Sequence, residues 1–193
     1  MLGDAFLPGS RQYTFWGRGV SQGHSDAVRQ IKGVLDARQY TIPIEGAIGR
    51  VRGGERPDFT SRDMHERLVY VVAEAGADRD RIRLEIISMP NYFAPYNTTV
   101  VFISQEEMRR NHSAYPHGGF VLTSGSTGAS KHVLEYRCQL DSNPEFTGSV
   151  LVACARAAYR LKKQRKSGAF TLMDFPLALL SPRPSEELLS KLT

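Results

Sequence analysis

The chain has 193 residues, 41% of them hydrophobic and 23% charged, enough apolar material for a sizeable core and too much for a disordered polymer. Its 25 basic and 20 acidic residues leave a net charge of +5, but the two signs are interspersed, so charge alone is a weak argument for nucleic acid as a partner. The start lacks a basic segment followed by an apolar one, and no apolar run is long enough to cross a bilayer. Cys138 and Cys154 form no C-x-x-C pair. A cytoplasmic protein with reduced, buried thiols, no metal centre and no disulfide framework is expected.

In chain order, residues 13–16 (YTFW) predict a strand, and Gly17, Gly19 and Gly23 follow in TFWGRGVSQGHSD before a short helix over 26–32, for which Ser25 is the expected cap. Residues 37–44 (ARQYTIPI) predict a second strand, and the Gly- and Arg-rich stretch 46–63 reads as a surface excursion. Residues 68–73 (LVYVVA) form an apolar strand, Asp78 can cap a helix whose Ile82, Ile86 and Met89 share a face, and 100–103 (VVFI) form another buried strand, together a β-α-β unit. Strands are also predicted at 119–124 and 133–140. In the latter, Leu134, Tyr136, Cys138 and Leu140 alternate with more polar residues and mark the expected core face. Asn143-Pro144-Glu145 announces the longest helix, with Phe146, Val150, Cys154, Ala157 and Leu161 on one stripe and a basic end before Gly168. A last strand at 171–174 and a capped helix at 185–192 complete an α+β reading: a mixed sheet covered by helices, in one domain over 1–193.

The stretch TFWGRGVSQGHSD carries the densest chemistry. Its glycines are spaced G-x-G-x-x-x-G, one residue longer than the dinucleotide fingerprint. Backbone N–H groups at a helix start favour an anion, so an anion or carboxylate pocket is expected there rather than a nucleotide loop. Arg67, at the entrance of a strand, can grip a carboxylate through two parallel N–H···O contacts; alone such a residue is more often an ordinary solvated arginine. His117, in YPHGG, is stiffened by Pro116 and freed by two glycines. Trp16 would by default pack in a core, Thr41 would be a plain strand threonine, and helix capping would account for Asn143. TSGSTGASK is similar to the phosphate loop of acyl-adenylating enzymes, but Ser130 stands where their proline belongs, and a glycine-rich hairpin is the simpler reading.

Taken together, FWGRGVSQGHSD, QYTIP, HERLVYVVA, MPNYF, YPHGGFVLTSGSTG, LEYRCQLDSNPEFT, ARAAYRLKKQRKSGAFT and LLSP resemble the C-terminal half of the meso-diaminopimelate dehydrogenase family, in order and spacing. The resemblance implies NADP-dependent, reversible oxidative deamination of the D-centre of meso-2,6-diaminopimelate, in lysine biosynthesis. It implies that Arg67, Thr41 and His117 hold the carboxylate of the distal L-centre, with Asn143 another polar contact. Phe15, Trp16, Gln22 and Gly23 would line the pocket around the D-centre, with Asp26 nearby. It further implies a homodimer, and NADP bound mainly by a Rossmann domain that this sequence lacks. The first dozen residues look like the tail of the helix that precedes the first strand. The chain is therefore expected to be a truncated frame, an excised domain or one part of a split enzyme, poor at binding NADP by itself. The alternative is a non-catalytic ligand-binding or dimerisation module derived from such an enzyme.

Overall fold

In the computed structural model, which describes residues 2–190, α1 (Leu2–Phe6) precedes the first strand, α6 (Gln105–Asn111) lies between the fifth and sixth, and the strands of the first 142 residues build two sheets. The first is mixed: β2 (Gly19–Val20), β3 (Val34–Pro43), β4 (His65–Ala73) and β5 (Asn97–Phe102) lie in that order. β3 is antiparallel to β2 and β4, whereas β4 and β5 run parallel through α5 (Arg79–Ile87), as the apolar runs of the expected β-α-β unit require. The second sheet is antiparallel, with β1 (Arg11–Trp16), β6 (His117–Thr127) and β7 (Ser130–Leu140) in the order β1-β6-β7. β6 and β7 are joined by a tight hairpin in which Thr127 faces Ser130, so the TSGSTGASK segment is the end of one strand, a two-residue turn at Gly128 and Ala129, and the start of the next.

Each sheet has its own core. α2 (Gln22–Arg29) and α5 supply Val28, Ile82 and Ile86, which pack with Ile31, Ala37, Val69, Val71 and Phe93 on the mixed sheet. α3 (Glu45–Arg52) lays Ala47, Ile48 and Val51 on Tyr13, Phe15 and Leu122 of the second sheet. Burying a side chain of this size contributes about 1.5–3 kcal/mol. Asp78 caps α5 as expected, its carboxylate accepting from the amides of Asp80 and Arg81 at 3.1 and 3.0 Å.

Several expectations are corrected. The stretch 46–63 is not a bare excursion: it holds α3 and the one-turn α4 (Ser61–Met64), because Ala47, Ile48 and Val51 recur at helical spacing despite the flanking glycines. α2 begins four residues earlier than expected, with Ser21 at its cap position. Ser25 instead lies inside the helix, its hydroxyl donating to the Ser21 carbonyl and accepting from the Gln39 amide. On β7 the alternation is right and its sense is reversed. Val133 packs on the α3-covered core, Glu135 pairs with Arg52 and Arg137 stacks on Phe120. Leu134 and Tyr136 face outward, 40% and 67% exposed. Cys138 and Cys154 are free thiols, half-buried rather than buried.

A second compact unit, Asn143–Thr193, contains α7 (Asn143–Lys163), a 3-10 turn at Leu177–Leu179 and α8 (Ser185–Leu189). Within it Arg156 and Arg160 donate to the carbonyls of residues 178–181, holding the 3-10 turn against α7. Of the predicted stripe, Ala157 and Leu161 are buried, whereas Phe146 and Val150 are exposed. The expected strand at 171–174 is a turn: the Asp174 carboxylate accepts from the Thr171 amide and hydroxyl, local bonding that competes with a strand ladder. The expected end of the last helix, Leu192, lies outside the described residues.

Candidate functional site

Alternation along β3 and β4 gives the mixed sheet an inner face that is apolar at one end and polar at the other. Ala37, Val69 and Val71 give way to Gln39, Thr41, His65 and Arg67, all buried. Thr41 and Arg67 face each other across the ladder, and one guanidinium nitrogen of Arg67 donates to the Thr41 hydroxyl. The face of the Tyr96 ring lies 4.0 Å from the guanidinium carbon. Arg67 is only 6% exposed, its Nε has no partner, and among the described residues no carboxylate pairs with it. A desolvated cation with an unmatched donor is costly unless an anion completes it. Burial accordingly pulls the Arg67 pKa below its ordinary value, with Tyr96 partly offsetting this.

Around Arg67 the contacts close into a ring. Two residues before it on the same strand face, His65 accepts the Trp16 amide proton at Nε2, 2.8 Å away. The Trp16 indole meets the His117 ring edge-on at 5.6 Å. His117 in turn abuts Gly19, where a Cβ would come within 2.8 Å of the His117 Cα, so only glycine fits this approach. Gly19 faces Thr41 across the β2–β3 ladder, and Thr41 faces Arg67. Trp16, Thr41, Arg67 and His117, far apart in sequence, are thus linked by successive contacts through His65 and Gly19.

The turn into α2 borders the same group. The Ser21 side chain does not cap the helix; its hydroxyl lies 2.6 Å from His24 Nδ1, which leaves the first-turn amides of Gln22 and Gly23 without a side-chain cap. Both residues are exposed, and nothing lies within 4 Å of where a Cβ on Gly23 would be. His24 packs edge-on against Tyr92 and Phe93 at 5.0 and 5.7 Å.

Burial, reinforced by the like charge of Arg67, pushes the pKa values of His24 and His65 down from 6.5 to about 4. Burial also lowers the value of His117. Positive charge in the group therefore resides on Arg67, framed by neutral imidazoles. A stability profile follows. Between pH 6.5 and about 4 the unfolded chain takes up protons that the folded histidines refuse, so the unfolded state binds more protons. Stability contributed by these two groups is complete above pH 6.5, falls by up to roughly 1.4 kcal/mol per pH unit for each histidine, and levels off below their folded values. Thermal melts across this range check the sign, and the His65→Gln variant should show the shallower slope.

The remaining predicted residues are placed differently. Phe15, expected at the pocket, points to the opposite side of β1 and is fully buried in the α3-covered core, because neighbouring strand residues face opposite ways. It reaches the group only through its 6.0 Å ring contact with His65. Asp26 is exposed on α2 and pairs with Arg29, so its carboxylate already has a cation. Asn143 is the first residue of α7 in the second unit. Three contributors escaped sequence reasoning: His65, Tyr96 and His24. His65 and Arg67 share a strand face at a spacing of two, a signal present in HERLVYVVA. No comparable signal marks Tyr96, which arrives from the loop before β5.

Residues 1–142 match the family model of the diaminopimelic acid dehydrogenase C-terminal domain. The chain belongs to that family. Among curated relatives, the meso-diaminopimelate D-dehydrogenase of Acetivibrio thermocellus is 56% identical over 97% of this chain and 57% of the relative. That of Lysinibacillus sphaericus is 54% identical over 100% and 59%. The solved Corynebacterium glutamicum DAP dehydrogenase in complex with DAP superposes with a TM-score of 0.93 at 45% identity, over 98% of this chain and 59% of that one. The chain thus spans less than two thirds of the length of these relatives.

NADP, a cofactor of the full-length family, does not fit the residues present. Among the described residues the one parallel crossover is β4-α5-β5, whose turn reads Glu74-Ala75-Gly76-Ala77-Asp78, without the glycine pattern that lets a pyrophosphate approach. The α5 amides that would face it are taken by the Asp78 carboxylate. An anion set there would meet like charge.

Proposed function

We propose that this chain is the substrate-binding and dimer-forming portion of an NADP-dependent meso-diaminopimelate D-dehydrogenase, with residues 1–193 acting together. The single observation that carries the reading is Arg67, a buried cation that has no carboxylate partner among the described residues, is bonded to Thr41 and lies over the Tyr96 ring. One carboxylate of the substrate, at the L-centre, completes Arg67 and Thr41. Trp16 and the exposed turn at Gln22 and Gly23 line the other end and present amides to the D-centre carboxylate. Fixing both ends leaves one orientation for the D-centre hydrogen. The hydride acceptor belongs to a dinucleotide-binding domain, continuous with this chain in a longer protein or supplied separately. Free Cys138 and Cys154 suit the reducing cytoplasm.

Titration of the chain with meso-diaminopimelate in a calorimeter should show saturable binding without NADP, and adding the dinucleotide-binding half of a relative should bring NADP-dependent turnover. No heat of binding would overturn the reading. Binding without turnover under any pairing would favour the non-catalytic module.

Leu134 and Tyr136, outward on β7, form an apolar stripe on a sheet face and support a homodimer through that sheet. Tyr136→Glu should move the sedimentation coefficient to that of a monomer without changing the circular dichroism spectrum. A parent chain that is itself monomeric would remove the dimer.

A further inference from the structure

We propose that His65 is a positioning residue for Trp16: by accepting the Trp16 amide proton, it pins the end of β1 to the mixed sheet and sets the indole against His117. The inference rests on the site being the diaminopimelate pocket, and it concerns a residue two places from Arg67 on the same strand face.

β1 ends at Trp16, and the chain continues through Gly17, Arg18 and Gly19, a stretch whose glycines give the backbone little stiffness of its own. The Trp16 side chain is 49% exposed, and its aromatic contact is the edge-on His117 ring. Packing therefore does little to hold the indole, and its position depends on where the backbone is fastened. The β1–β6 ladder holds one side of that backbone, with Trp16 facing Gly119 and the Gly17 amide donating to the Gly118 carbonyl at 2.9 Å; the bond from the Trp16 amide to His65 Nε2, 2.8 Å long and spanning 49 positions of sequence, fastens it to the mixed sheet. His65 can serve because it is itself immobile: it opens β4, is 5% exposed and lies against Phe15. Only a ring with a bare Nε2 accepts the bond, which requires the neutral tautomer carrying its proton on Nδ1. Burial and the charge of Arg67 favour that neutral form. Burial, seconded by the charge of Arg67, thus keeps His65 uncharged and able to hold Trp16.

The test uses the whole chain and its sole tryptophan, so that intrinsic fluorescence reports Trp16 alone. His65→Leu removes the acceptor, and His65→Gln places an amide oxygen near the position of Nε2. The leucine variant should show Trp16 emission at longer wavelength, stronger quenching by acrylamide, and calorimetric affinity for meso-diaminopimelate reduced about tenfold, the worth of one lost hydrogen bond. The glutamine variant should return both readouts close to the parent. If the leucine variant does not fold, His65→Asn, whose carbonyl stops short of the amide, takes its place in the same comparison. Parent-like emission and affinity in a folded variant lacking the acceptor would overturn the inference, as would a glutamine variant no better than leucine. If the parent chain does not bind diaminopimelate, the proposed function fails while the emission of Trp16 still decides whether His65 positions it.

Discussion

Arg67→Met is expected to weaken meso-diaminopimelate binding about ten- to hundredfold while making the unliganded protein more stable by about 1–3 kcal/mol. The two effects have one cause. In the free protein Arg67 is buried with an unmatched Nε, and among the described residues its desolvation is compensated by Thr41 and the Tyr96 face and by no carboxylate. Methionine keeps much of the volume over Tyr96 and removes the charge. With the ligand, the same charge gains the carboxylate it lacks, and that gain is what the substitution forfeits. Calorimetric titration and thermal melts of the unliganded variant check the two halves separately. Unchanged affinity removes Arg67 from the site. Reduced affinity with a lowered melting temperature shows that the guanidinium acts as a structural strut.

Gly119→Ala is expected to destabilise the fold by about 1–3 kcal/mol, a melting temperature lower by about 2–12 °C. A Cβ at Gly119 would lie 2.4 Å from the Phe15 carbonyl oxygen and 3.1 Å from the Trp16 Cα. Backbone atoms cannot step aside as a flexible side chain would, so β1 and β6 must separate where Trp16 pairs with Gly119. The substitution should therefore also alter Trp16 fluorescence, coupling a stability loss to the site. An unchanged melting temperature would show that the two strands tolerate a wider spacing.

Much of the architecture was legible because its signals are local. The apolar runs of β4 and β5 and the Asp78 cap marked a parallel crossover, and Asn143-Pro144-Glu145 marked the start of α7. The errors arose where one-dimensional patterns leave a sign undetermined. Alternation in β7 was plain, but which set of side chains faces the core depends on where α3 lands, and α3 was hidden by its glycines. The expected start of α2 at Asp26 failed because Ser25 is engaged by β3, a partner 14 residues on.

Of the site, Trp16, Thr41, Arg67 and His117 could be named because the motif resemblance marks them, and the structure links them through adjoining strands. What joins them could not be read in advance. His65 looked like one more polar residue in a strand, and only the approach of β1 to β4 turns its ring into a fastening. Phe15 shows the opposite failure: one place from Trp16 in sequence, it faces the other side of the strand.

The carboxylate of Asp78 seated on the first turn of α5 has an evolutionary corollary. On the proposed function, a crossover closed to nucleotides confines this polypeptide to selecting the amino acid and leaves the choice of electron carrier to the dinucleotide-binding domain, so that substitutions in one module need not retune the other.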